Sequence, residues 1–126
     1  MCRRFDPAPH HEKKVVSMAA FFVYMHFVYI LYSPSFDRFY VGETTDLELR
    51  LVQHNSHFFK SASTSFTNDW VIAKSFSVDS RSNARIVESY IKSMKSKIFI
   101  YNLVHDSIFY KNFVSIVFNK FNISIY

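Results

Sequence analysis

Apolar positions crowd, alternate and then space out along this chain, and each change marks an element. The longest apolar run, Val15 to Tyr32, is interrupted only by Ser17 and His26. It follows Arg3, Arg4, Lys13 and Lys14, the order of a signal peptide or membrane anchor. It nears the length of a span only if its serine, histidine and tyrosines are counted as apolar. Its second half, however, is β-branched and aromatic and stops at Ser33-Pro34-Ser35. That is strand chemistry, and it predicts a first strand from about His26 to Tyr32. A second is expected from Arg38 to Glu43, with Pro34 to Asp37 as turn, which makes an antiparallel hairpin.

The period then lengthens. Thr44-Thr45-Asp46 is suited to cap a helix whose core pair is Leu47 and Leu51 and which ends near Asn55. A Ser/Thr-rich loop from His57 to Asp69 leads to a third strand, Trp70 to Ser77. Asp79 or Ser80 is suited to cap a second helix with a core stripe of Ala84, Val87, Ile91 and Met94. Ser96 opens a short third helix to about Val104. From His105 onward alternation and aromatics suggest either a packed fourth strand or a sticky tail. The expected architecture is α+β: a small three-stranded antiparallel sheet flanked by helices, β-β-α-β-α-α, over residues 25–104. Residues 1–24 and 105–126 are expected to be irregular extensions, the second hydrophobic.

At 126 residues, 49% hydrophobic and 20% charged, the chain is large enough for one domain with a real core. Cys2 is the only cysteine, which excludes an internal disulfide and a cysteine zinc site. His10-His11 has no further ligand at suitable spacing nearby and reads as a solvated tail. A net charge of +5 permits a polyanionic partner without requiring one.

Candidate chemistry begins in the hairpin. Its strands carry the triplets Val28-Tyr29-Ile30 and Tyr40-Val41-Gly42, and Gly42 is the only glycine of the chain. A glycine used once belongs where no side chain fits, in a tight turn or under a close neighbour. The first helix carries Arg50 and His54 on one face. Strand tyrosines are ordinarily core residues with a wet hydroxyl, and Arg50 alone is ordinarily a surface residue. On the second helix Arg81, Arg85, Glu88, Lys92 and Lys95 follow at spacings of four, three, four and three. Two readings are open. One is a solvated face with a Glu88–Lys92 pair; the other is a magnesium-binding carboxylate within a phosphate-attracting surface.

The two triplets in this order, followed by Asp46 to Asn55, Ser80-Arg81-Ser82-Asn83-Ala84 and Lys92 to Lys97, resemble the GIY-YIG nuclease family. The likeness covers about Phe27 to Val104 and is nearest the small stand-alone bacterial members. It implies a Mg²⁺-dependent endonuclease, with Mn²⁺ as substitute, acting on nucleic acid, DNA before RNA, in the cytoplasm and away from membranes. Tyr29, Tyr40, Arg50 and His54 would be catalytic, Glu88 the metal ligand and Gly42 a turn glycine. Tyr29 would act as general base, its pKa drawn down by Arg50 and the metal; two units would take roughly 2.7 kcal/mol. Lys60, Arg81, Arg85, Lys92, Lys95 and Lys97 would contact phosphates without reading bases. Val28 departs from the family's first glycine. Glu43 stands where similar proteins often carry glutamine, placed to repel the scissile phosphate or to assist the metal. Two other classes stay open: an inactive nucleic-acid-binding module of the same fold, and a membrane-tethered interaction protein using the apolar termini.

Overall fold

The computed structural model of the chain describes residues 25–57 and 63–126. Cys2, His10, His11, Lys60, the expected N-terminal extension and the first half of the long apolar run lie outside the described residues. Three strands, β1 (His26–Ser33), β2 (Arg38–Thr44) and β3 (Val71–Val78), form one antiparallel sheet in the order β2-β1-β3. Among the described residues four helices accompany it: α1 (Leu47–Asn55), α2 (Arg81–Ser93), α3 (Lys97–His105) and α4 (Ser107–Phe121).

β1 is the central strand and is covered on both faces, which explains why its sequence is apolar without alternation. Val28, Tyr29, Ile30 and Leu31 are all buried. Val28 and Ile30 face the larger core with Val41, Phe76 and Val78, and Ala84, Val87 and Ile91 of α2 pack there. Tyr29 and Leu31 face the other way, with Trp70, Tyr40, Ile72 and the α1 pair Leu47 and Leu51. Among the described residues no helix is long and apolar enough to cross a membrane; the second half of the apolar run is β1.

The caps fall where short polar residues precede each helix. Asp46 Oδ1 accepts from the Leu49 N–H at 3.0 Å, Ser80 Oγ from Asn83 at 3.1 Å, and Ser96 Oγ from Phe99 at 3.1 Å. α2 ends at Ser93, one residue short of the expected stripe. Met94 is therefore exposed, and Lys95 turns the chain with a φ of 48°.

The C-terminal segment differs from both expectations for it. Residues 107–121 are neither strand nor irregular tail but α4, packed on the larger core. Asp106 Oδ1 caps it by accepting from the Ile108 and Phe109 N–H groups. Phe113 and Val117, four apart, are buried, with Phe109, Tyr110, Val114 and Phe121 half-buried around them. Its aromatics serve a helical face because the sheet behind them needs covering, and tertiary burial overrides their strand preference. Beyond the helix, Tyr126 exchanges backbone hydrogen bonds with Ser77 along β3.

Candidate active site

Tyr29 lies directly opposite Gly42 in the β1–β2 register. A Cβ on Gly42 would sit 2.5 Å from the Tyr29 hydroxyl oxygen and 2.6 Å from Cζ. Gly42 is therefore not a turn glycine, as expected above; it lies within β2 and has no positive φ. Its missing side chain is the space that the hydroxyl end of the Tyr29 ring occupies, with the hydroxyl reaching His54 of α1. A bulge in β3 completes this face. Ile30 pairs with Lys74 but Leu31 with Ile72, so Ala73 is skipped and Ile72 and Trp70 turn toward Tyr29.

α1 supplies Arg50 and His54 one turn apart. The Tyr29 hydroxyl oxygen is 3.1 Å from His54 Nε2, and the Arg50 guanidinium lies near enough to favour its anion. Tyr40 stands beside both, its ring 6.3 Å from that of Tyr29 and 5.1 Å from that of His54, centre to centre. The other ring nitrogen of His54 is 2.8 Å from the Thr64 hydroxyl. Trp70 donates its indole N–H to the Thr64 carbonyl at 3.0 Å. Asn55 in turn grips the Trp70 backbone from both sides, donating to its carbonyl at 2.9 Å and accepting from its N–H at 2.8 Å. A second anchor holds the same loop: Asp69 accepts from the Ser33 and Thr67 hydroxyls, both at 2.6 Å, and from the Ser35 N–H.

Burial acts on both partners of the Tyr29–His54 contact. It pushes the Tyr29 phenol well above its ordinary 10, helped by Tyr40 and Glu88 and opposed by Arg50. Arg50 alone thus does not draw this phenol down, because desolvation outweighs the guanidinium; the share expected of a bound metal is a separate matter. His54 is pushed below its ordinary 6.5 by burial and then by Arg50, so its ring is neutral at pH 7.

Glu88 comes in from α2 at the β2 edge. It is half-buried and paired with Lys92 at 2.6 Å, and the Lys92 ammonium lies 5.6 Å from the centre of the Tyr40 ring. The other cations disperse. Arg81 and Arg85 lie 3.6 and 3.8 Å from Glu43 instead of flanking Glu88. Glu43 sits opposite Val28 in the register, on the face that α2 covers and not on the Tyr29 face. Lys97 binds Asp37 at the hairpin turn, at 2.6 Å, and Lys95 is exposed between α2 and α3. The sequence reading missed Asn55, Thr64 and Trp70. The Ser/Thr-rich loop reads as a connection to the third strand, and nothing in its composition singles out one threonine. Asn55, next to His54 at the helix end, was the available signal.

The GIY-YIG catalytic domain model matches residues 25–102, more than half of the chain, which spans both tyrosine strands, α1 and Glu88. The chain belongs to the GIY-YIG family, and its domain has a nuclease-type fold. Neither a curated protein nor a solved structure matches it at a significant level.

Proposed function

We propose that the protein is a divalent-metal-dependent endonuclease of low sequence specificity that hydrolyses phosphodiester bonds in DNA. The carrying observation is the convergence of Tyr29, Arg50 and His54 over the one position, Gly42, that lacks a side chain. Tyr29 and His54 act as one proton acceptor. His54 Nε2 takes the Tyr29 proton as Tyr29 takes one from the attacking water, so no free phenolate has to form in a buried site. The water oxygen bonds to phosphorus, and the bond from phosphorus to the leaving oxygen breaks with its electron pair. Arg50 binds the phosphate and balances the charge developing on its oxygens.

Among the described residues no three His, Cys, Asp or Glu side chains gather into a metal cage. Glu88 nonetheless suits Mg²⁺ or Mn²⁺, since Mg²⁺ is commonly held by one or two carboxylates plus water and phosphate oxygens. Its present partner, Lys92, is half-exposed and able to swing aside. A bound ion would supply charge stabilisation at the scissile phosphate. Lys60, Arg81, Arg85, Lys92, Lys95 and Lys97 are proposed as phosphate contacts, which position a strand without reading its bases.

The test is cleavage of labelled duplex, branched and single-stranded DNA with Mg²⁺ or Mn²⁺, beside Tyr29→Phe and Glu88→Ala. Each folded variant is expected to lose about a hundredfold or more in rate, the scale of removing one transition-state contact. Wild-type protein that binds all three DNAs but cuts none would sink the enzyme assignment and leave the binding module.

A further inference from the structure

We propose that Thr64 is a positioning residue whose hydroxyl accepts the Nδ1–H of His54 and so turns the Nε2 lone pair onto the Tyr29 hydroxyl. The inference rests on the reading of Tyr29 and His54 as the proton acceptor. A neutral imidazole has one donor and one acceptor nitrogen, and both nitrogens of His54 meet hydroxyls, at 3.1 and 2.8 Å. Hydroxyls serve either role, so these two distances admit two arrangements.

The two hydroxyls decide between them. A phenol, which ordinarily ionises at about pH 10, is a stronger donor and a poorer acceptor than an alkyl hydroxyl. The Tyr29 proton therefore goes to Nε2, which is the bare nitrogen. Nδ1 carries the hydrogen, and Thr64 receives it across the shorter of the two contacts. In the reverse arrangement the weaker donor would serve Nδ1, and the Tyr29 proton would find no acceptor on His54 in a site where Tyr29 is 2% exposed.

Which nitrogen of a histidine is protonated is set by the bond the other makes. Without the Thr64 hydroxyl, an Nδ1–H would face a methyl group in a buried place, a cost that the Nε2–H form avoids by donating to the Tyr29 oxygen. The Nε2–H form would then face Tyr29 and could not take its proton. Thr64 is well placed to hold that choice. It is 3% exposed, and its main chain is fixed independently of its hydroxyl by the indole of Trp70, which Asn55, the neighbour of His54, clamps. The result is a closed ring of hydrogen bonds from His54 through Thr64, Trp70 and Asn55 back to α1. Because the anchor is the carbonyl, Thr64→Val keeps it and loses only the acceptor.

The experiment is ¹⁵N NMR of the His54 ring in the full chain, for wild type, Thr64→Val and Thr64→Ser, beside Mg²⁺-dependent cleavage and DNA binding. The Nδ1–H form is expected in wild type and Thr64→Ser, and the Nε2–H form in Thr64→Val. The turnover rate of Thr64→Val should fall about tenfold or more, the low end for a mispositioned acid–base group, with DNA affinity unchanged. An Nε2–H wild type would overturn the proposal, as would an unaltered tautomer in Thr64→Val, or Thr64→Ser as impaired as Thr64→Val. If wild type proves not to cut DNA, the endonuclease assignment fails by itself, and the tautomer measurement still decides the role of Thr64.

Discussion

Tyr29 shows how one side chain can be buried, strongly hydrogen-bonded and chemically competent together. Burial makes its anion costly, and the same burial keeps His54 neutral and able to accept. The pH dependence follows from the second effect. A histidine whose pKa is lowered carries no proton across the neutral range and gains one only in acid. Once protonated, Nε2 has no lone pair for the Tyr29 proton. Activity at limiting DNA should therefore be flat through neutrality and fall on a limb lying below 6.5, the ordinary histidine value. A rate profile measured from pH 5 to 9, with folding monitored at each point, checks this. A limb centred above 6.5 would mean that another group governs proton transfer. Gly42 belongs to the same scale: its scarcity in the sequence pointed to a close approach, but whether to a turn, a ligand or a ring needed the register with Tyr29.

The elements were legible where short-range signals and burial agreed. The hairpin, the three caps Asp46, Ser80 and Ser96, and the apolar stripe of α2 apart from Met94 stand where their residues place them. α4 was misjudged because Phe, Tyr, Val and Ile prefer strands, and because the three- and four-residue spacing of Tyr110, Phe113, Val117 and Phe121 is blurred by exposed Ile116 and Phe118. What decides the matter is a sheet face that needs a helix from beyond the family's matched segment to cover it. Phe113 stacks near Tyr90 of α2 and meets Phe76 of β3 and Phe99 of α3, so it ties α4 to three elements. Phe113→Ala should cost about 3–5 kcal/mol, the range for truncating a buried phenylalanine. Urea unfolding followed by circular dichroism would measure it. A loss below about 1 kcal/mol, the size of surface substitutions, would mean that α4 is not part of the cooperative core.

At the scale of the whole molecule, four of the cations expected to meet phosphate, Arg81, Arg85, Lys92 and Lys97, are paired with carboxylates among the described residues. Glu43 holds most of this balance near the site, with Arg81 and Arg85 on one oxygen and His26 3.8 Å from the other. The carboxylate is largely sequestered, whereas both arginines are 62% exposed, so the cations can turn to a phosphate but the anion cannot leave. A DNA strand must therefore compete with Glu43 for two guanidinium groups. Glu43→Gln keeps the shape, removes the charge and lets both arginines engage phosphate. Each exposed ion pair is worth roughly 0.2–1 kcal/mol, so releasing both should raise DNA affinity about two- to thirtyfold. The rise should carry a signature of its own. Each additional phosphate contact steepens the dependence of log K on log salt by about 0.9 on duplex DNA. Titrations of wild type and Glu43→Gln across a range of salt would therefore diverge most at low ionic strength and converge at high. Equal slopes would show that Arg81 and Arg85 stay off the nucleic acid, which would leave Lys92 and Lys95 as the α2-side contacts to test next.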